Sequence, residues 1–303
     1  MSRVSLDVEL SGVRLRNPLI LASGFIDDDP SLLLRAWSAG FGAVTTKSLT
    51  PKPREGYNPP IIAFTKAGYL NAVGLANPGI DSLPNLLSKL PDEAKVIVSL
   101  AGSTSEDFGY CADKADINKV DIIELNLSCP HVKGMGMDII HDISYSLDVI
   151  ETVVSITSKP VFVKLGLTDT YLDLVSRALD KGVSGFTIMN TVRAMAIDIS
   201  SLRPILNNVF GGLSGPAIHP IAVRMVYEVY SEYRVPIIGV GGVEDWDDII
   251  EFIAAGATGV GVGSYLFLRS VEKIGELVDG VEKFLIDRGF KSILEIRGIA
   301  LKR

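Results

Sequence analysis

The chain has 303 residues, of which 29 are basic and 36 acidic for a formal charge of −7; 47% are hydrophobic and 21% charged. That composition calls for a large core and excludes a disordered segment, while an acidic chain without a Lys/Arg cluster makes a poor nucleic-acid binder. Two cysteines give no disulfide framework or cysteine-rich zinc site, three scattered histidines give no persuasive metal cluster, and no apolar run reaches the roughly 18 residues of a membrane span.

Residues 1–9 are charged and alternating, unlike a secretory signal, so a reducing cytoplasm is the simplest setting. Residues 4–16 alternate apolar and polar around Ser11-Gly12, which predicts a β-hairpin. Short apolar runs then follow at 19–22, 43–47, 96–100, 122–127, 161–165, 185–190, 237–240 and 258–263. Their near-continuous hydrophobicity suits parallel strands buried on both faces. Segments of helical period separate them at 31–39, 82–89, 105–118, 139–158, 171–181, 217–230 and 245–255, and a final helix is expected at about 270–288. Eight such alternations predict an α/β fold, a (β/α)8 TIM barrel. No linker divides the chain, so residues 1–303 are expected to form a single domain. The Pro- and Gly-rich stretches 50–79 and 193–215 are too long for ordinary βα loops. Each follows a strand, which puts it at the C-terminal rim where barrel chemistry sits; rim insertions are expected after strands two, four and six.

After the seventh strand comes Gly239-Val240-Gly241-Gly242-Val243-Glu244-Asp245, and after the eighth Val262-Gly263-Ser264. Glycines let a backbone approach an anion closely, and N–H groups at a helix start point toward it. Barrels often hold phosphate at this place. Neither run fits G-x-G-x-x-G and there is no Walker A motif, so a phosphorylated ligand is expected rather than a Rossmann dinucleotide site. Tight turns alone are the competing explanation. The stretch Gly211–Pro216 offers another amide near that ligand.

Four strand ends carry polar residues that a plain core would not want: Thr45-Thr46-Lys47-Ser48, Glu124-Leu125-Asn126-Leu127-Ser128-Cys129-Pro130, Lys164 in the fifth strand, and Met189-Asn190-Thr191. In a barrel these converge on one mouth. Two lysines and two amides suit a planar, carbonyl-rich, anionic ligand, since a buried lysine without an anion costs several kcal/mol or loses its proton. The alternative is that each lysine pairs with a carboxylate. Cys129, just past the fourth strand and with Gly134 and Gly136 downstream, is a candidate base or nucleophile. His131 either tunes it or is merely exposed. Cys111 lies in a helical stretch and is assigned to packing; His141 and His219 have no company in the sequence and are assigned structural roles.

Taken together, these motifs resemble dihydroorotate dehydrogenase over about residues 4–267. The specific stretches are Asn71-Ala72-Val73-Gly74-Leu75-Ala76-Asn77-Pro78-Gly79 and Asn126-Leu127-Ser128-Cys129-Pro130; Ala22-Ser23-Gly24, Thr46-Lys47-Ser48, Val163-Lys164-Leu165, Asn190-Thr191, Gly211–Pro216, Gly241-Gly242 and Gly263-Ser264 recur in other FMN barrels. The resemblance implies FMN across the mouth, its phosphate on Gly241, Gly242, Gly263 and Ser264, and the rest of it on Ser23, Lys47, Ser48, Asn126, Lys164, Met189 and Gly215. It implies that Lys47, Asn71, Ala72, Val73, Gly74, Leu75, Asn126, Asn190 and Thr191 hold dihydroorotate or orotate. Cys129 would be the catalytic base, as in class 1, where the membrane-bound class 2 has serine.

Within class 1, the run from Asn71 to Gly79, Val132-Lys133 and the Pro-Ala-Ile after Gly215 resemble class 1B, in which a second subunit carrying FAD and an iron–sulfur cluster reoxidises FMN with NAD. That implies a heterotetramer of two plus two chains on a homodimer core, and no metal in this chain. The sequence departs from the family pattern at His131, where Asn is usual, at Ser99, where an Asn commonly contacts the flavin, at Arg193-Ala194, and in the Lys133–Met137 loop, which lacks the usual double glycine. Competing readings are another FMN barrel of the dihydropyrimidine dehydrogenase type, a flavin-free sugar-phosphate isomerase or aldolase with Lys164 as Schiff base, and a non-catalytic sensor of phosphorylated ligands.

Overall fold

The computed structural model describes residues 4–25, 29–127 and 142–302. Strands β1 (Val8–Leu10) and β2 (Val13–Leu15) form the expected antiparallel hairpin. Ser11 and Gly12 both take positive φ, 49° and 87°, the turn geometry whose twist matches the flanking strands. Leu10 and Leu15 are buried while Glu9 and Arg14 face out. Ser11 Oγ donates to the Ser184 carbonyl at 2.8 Å, which sets the hairpin against the N-terminal end of the sixth barrel strand and away from the mouth.

The chain then builds β3 (Leu19–Leu21), β4 (Ala43–Thr45), the rim strands β5 (Ile62–Thr65) and β6 (Gly68–Asn71), and β7 (Val96–Leu100), β8 (Ile122–Asn126), β9 (Val161–Leu165) and β10 (Gly185–Ile188). Four short strands follow, β11 (Val192–Ala194), β12 (Ile197–Asp198), β13 (Arg203–Pro204) and β14 (Gly211–Ser214), before β15 (Ile237–Val240) and β16 (Gly259–Val262). The ring order is β3-β4-β7-β8-β9-β10-β15-β16, every pairing is parallel, and β16 closes onto β3 with Val260 opposite Leu19. This is the (β/α)8 barrel. Its strands are shorter than the apolar runs. Lys47 and Asn190 therefore stand just beyond β4 and β10, where the chain is turning onto the mouth.

The helices between the strands start on side-chain caps that the sequence supplies. Asp29 caps α1 (Pro30–Ala39), Thr104 caps α3 (Ser105–Ala115) and Asp142 caps α4 (Ile143–Ile156), each carboxylate or hydroxyl accepting a first-turn N–H. The stretch expected as helix at 82–89 yields only one α-turn, α2 (Leu83–Leu86), because the chain continues in i→i+3 turns at Ser88 and Leu90. The next helices are α5 (Tyr171–Asp180), α6 (His219–Tyr233), α7 (Trp246–Ala255) and α8 (Ile274–Arg288). The expected helix start at 217 is a 3-10 turn, Pro216–Ile218, that leads into α6, and α8 is likewise preceded by a 3-10 turn at Val271–Lys273. Residues 139–141 of the expected fourth helix lie outside the described residues.

The insertions after the second and sixth barrel strands do not remain separate loops. They pair into one antiparallel sheet of order β11-β14-β6-β5, with Asn71 opposite Gly212 and Tyr69 opposite Ser214. Ala63, Leu70, Ala72 and Leu206 form a small core of their own under it. The insertion after the fourth strand lies outside the described residues. No helix among the described residues is long and apolar enough to cross a membrane.

Barrel closure leaves no room at the turn into β4. The Gly42 N–H donates to the Leu19 carbonyl at 2.7 Å, and a Cβ at Gly42 would stand 2.1 Å from the Asn17 carbonyl oxygen. Gly42→Ala is expected to cost about 1–3 kcal/mol, the usual penalty for forcing atoms into a packed site. Urea unfolding of the two proteins checks it, and an unchanged midpoint would count against the clash.

Candidate functional site

The C-terminal strand ends converge on one cleft. β3 contributes Ser23, β4 Lys47 and Ser48, β8 Asn126, β9 Lys164, β10 Met189, Asn190 and Thr191, β15 Gly241 and Gly242, and β16 Gly263 and Ser264; the rim adds Asn71, Val73, Gly74 and Leu75. Two residues expected here do not line the cleft. Ala72 is fully buried in the small core beneath the rim sheet, because side chains in extended backbone alternate and its neighbours 71 and 73 take the cleft side. Gly215 sits at the corner between β14 and the following 3-10 turn, φ 91°, where a Cβ would meet Gly68 Cα at 2.9 Å and the Tyr69 ring at 3.1 Å. Its role is close passage of two backbones. Cys129, with Ser128, Pro130, His131 and His141, lies outside the described residues.

Sequence inspection missed an aromatic side wall. Phe25 and Phe267 both line the cleft, their rings 5.2 Å apart, and the Tyr69 ring packs 5.0 Å from Phe267 at a tilt of 57°. Phe25 lies two residues past Ser23 and Phe267 three past Ser264, but an aromatic residue in such company reads as core. The packing explains Gly263, since a Cβ there would fall 2.3 Å from the Phe25 ring. At Gly242, φ 71°, a Cβ would lie 2.7 Å from His219 Cβ and 2.8 Å from the Gly215 carbonyl oxygen. Both glycine runs thus bring bare backbone to one end of the cleft, as an anionic group requires.

The opposite end is polar and its hydrogen bonds run one way. Glu124, 3% exposed inside the barrel, accepts from Ser99 Oγ and Thr187 Oγ1, each at 2.9 Å. A carboxylate only accepts, so Ser99 spends its single proton on Glu124 and must accept from Ser48 Oγ at 2.9 Å. Ser48 in turn accepts from Asn126 Nδ2 at 2.8 Å, and Asn126 Oδ1 accepts from Asn190 Nδ2 at 3.2 Å. Asn190 Oδ1 then takes the Thr191 N–H at 2.8 Å. The charge on Glu124 therefore orients two amides of the cleft wall. Ser99 does not line the cleft; it is the buried link in this chain. Lys164 Nζ lies 3.9 Å from Glu124 Oε1, an ion pair without a hydrogen bond, and makes no hydrogen bond among the described residues. Of the two sequence alternatives for Lys164, a carboxylate partner is thus present, and Lys164 also lines the cleft.

His219 has company that the sequence did not show. Its Nδ1 is 2.9 Å from the Gly241 carbonyl oxygen, and its Nε2 is 3.0 Å from Glu251 Oε2 and 3.5 Å from Asp248 Oδ1. It props the underside of the Gly241-Gly242 turn from the start of α6. The two carboxylates come from α7, 29 and 32 residues later, so no local spacing announces the cluster.

The family model described as dihydroorotate dehydrogenase matches residues 5–285. A protein of Pyrococcus abyssi described as dihydroorotate dehydrogenase B (NAD(+)), catalytic subunit, is 43% identical over 98% of this chain and 99% of its own. A protein of Methanocaldococcus jannaschii with the same description is 40% identical over 99% of each chain. A relative from Aeropyrum pernix, 40% identical over 99% of this chain and 98% of its own, carries a provisional dihydroorotate dehydrogenase A (fumarate) name.

Cys111 is a packing residue, as expected: it is fully buried in α3, and burial pushes its thiol up to about 12, with Asp107 and Asp81 adding to the shift. A thiol in that state supplies almost no thiolate at pH 8. Native protein treated with iodoacetamide at pH 8 is expected to leave Cys111 unmodified, and urea-unfolded protein to carry the label there; peptide mapping reads both. Labelling of Cys111 in the folded protein would contradict its burial.

Proposed function

The chain belongs to the dihydroorotate dehydrogenase family, and from that premise we propose that it oxidises (S)-dihydroorotate to orotate in the biosynthesis of pyrimidine nucleotides, with FMN as its cofactor. The observation that carries this reading is the two-ended cleft. One end is bare glycine backbone where a Cβ at Gly242 or Gly263 would collide, which fits a phosphate group. The other end presents the Lys164 ammonium, 5% exposed, and oriented amides, which fits a ring that gains negative charge.

In this reading Gly241, Gly242, Gly263 and Ser264 hold the phosphate, and Ser23, Lys47, Ser48, Asn126, Lys164 and Met189 the remainder of the cofactor. Gly215 contributes by shaping the adjoining corner. Lys47, Asn71, Val73, Gly74, Leu75, Asn126, Asn190 and Thr191 bind the substrate ring and its carboxylate, while Ala72 packs in the small core beneath that segment. When bound, FMN supplies the two-electron acceptor for the hydride lost from C6 of dihydroorotate. Cys129 takes the proton from C5, and the C5–C6 double bond of orotate is left behind. A cysteine needs less adjustment than serine to act as a base near neutral pH, its reference pKa being about 8.5.

The class 1B features of the sequence and the names of the Pyrococcus and Methanocaldococcus relatives support an NAD-linked enzyme with a separate electron-transfer subunit. Two cysteines are too few for a cluster of this chain's own, so FAD and iron–sulfur would belong to that subunit, in a two-plus-two assembly on a homodimer core. A single-domain catalytic chain working in the cytoplasm completes the reading.

The visible spectrum of the purified chain, before and after anaerobic dihydroorotate, tests it. A flavin spectrum that bleaches is expected, with no turnover on NAD alone until the second subunit is added. Direct turnover with fumarate would move the chain to the acceptor named for the Aeropyrum relative, and no flavin after reconstitution with FMN would overturn the reading. Cys129→Ser is expected to keep the flavin and slow its reduction at neutral pH by about 10²–10⁴, the usual worth of a positioned base. Stopped-flow absorbance measures it, and an unchanged rate would remove Cys129 from that role.

A further inference from the structure

Beneath the cleft the barrel holds a buried acidic side chain that the proposed chemistry does not use. Glu124 projects from the middle of β8, and each of its oxygens accepts one hydroxyl hydrogen bond, from Ser99 and from Thr187. At 3.9 Å this carboxylate attracts the Lys164 ammonium without holding it in a hydrogen bond, and Lys164 also lines the cleft. The void around the pair is about 10 Å³, bounded by Ile20, Thr45, Ile238 and Gly261 among others. A space of that size admits one water at most beside the pair.

We propose that Glu124 is a positioning residue for Lys164: it fixes the ammonium at the cleft floor and tempers its charge, and so sets how strongly the site stabilises negative charge on a bound flavin. This rests on the FMN reading above. Ser99 and Thr187 are part of the device. Each hydroxyl disperses part of the carboxylate's charge, and removing one strengthens the pull on Lys164 while leaving the ion in place. The two kinds of substitution therefore act in opposite directions. Glu124→Gln removes the negative charge and leaves Lys164 unopposed. Thr187→Val keeps the charge and concentrates it.

Sulfite adds reversibly to oxidised flavins and leaves the ring anionic, so its affinity reads this field without substrate or turnover. The FMN-loaded chain, Glu124→Gln and Thr187→Val would be titrated with sulfite by the loss of flavin absorbance, and the midpoint potential of each measured by photoreduction against a reference dye. Glu124→Gln is expected to bind sulfite roughly tenfold more tightly, the scale of one partly screened charge at these distances. Its potential should become more positive. Thr187→Val is expected to bind sulfite more weakly than the unaltered chain, with a more negative potential. Because Thr187→Val is close to isosteric, it carries the test alone if Glu124→Gln does not fold. Flavin-loaded variants within twofold of the unaltered chain, or both shifted the same way, would overturn the proposal and leave the cofactor reading standing. An unaltered chain that takes up no FMN would overturn both.

Discussion

Closing eight strands into a ring shuts water out of the space between them, and any charge placed there has to be matched by another. Glu124 and Lys164 are that match, on neighbouring strands β8 and β9 with Asn126 paired across to Lys164 in the ladder. One run of polar groups at the mouth follows from how Glu124 is satisfied. Its need for donors commits Ser99 and Thr187, Ser99 commits Ser48, and Ser48 commits the amide of Asn126. A half-satisfied buried network would be worse than an apolar core, and this one is complete along its length. The outcome is a cleft wall whose donor and acceptor edges are fixed before any ligand arrives.

The far end of the cleft obeys a different constraint. There the chain must bring unadorned backbone close to an anion, and what prevents a side chain from intruding is packing behind the glycines: the Phe25 ring behind Gly263, and His219 with the Gly215 carbonyl behind Gly242. His219 in turn is gripped by carboxylates of α7, whose own first turn is closed by the Asp245–Asp248 capping box. The turn that offers its amides is thus held from below by a helix start.

How much of this was readable in the sequence depended on the range of the signal. The barrel was readable because each buried strand is a local apolar run bounded by turn residues, and the glycine turns because two residue types at one strand end suffice to mark them. The rim sheet was not, because it pairs Asn71 with Gly212 across 141 residues, and nothing local in either insertion announces its partner. Ala72 was misplaced for a related reason: a motif read as a continuous string ignores that alternate residues of extended chain face opposite ways. Glu124 was visible as a letter of its strand, but its importance lies in contacts to Ser99, Lys164 and Thr187, which come from three other parts of the chain. His219 was assigned a solitary structural place for the same lack of a long-range view.

The rim sheet also has a mechanical meaning. The two insertions that compose it leave β4 and β10, which stand four places apart in a ring of eight whichever way one counts. The sheet is therefore a tie-beam laid across the diameter of the barrel, anchored at both abutments and stitched in the middle by the pairing of β6 with β14. Lifting one half would mean unpicking the other. Such a span resists splaying of the opening.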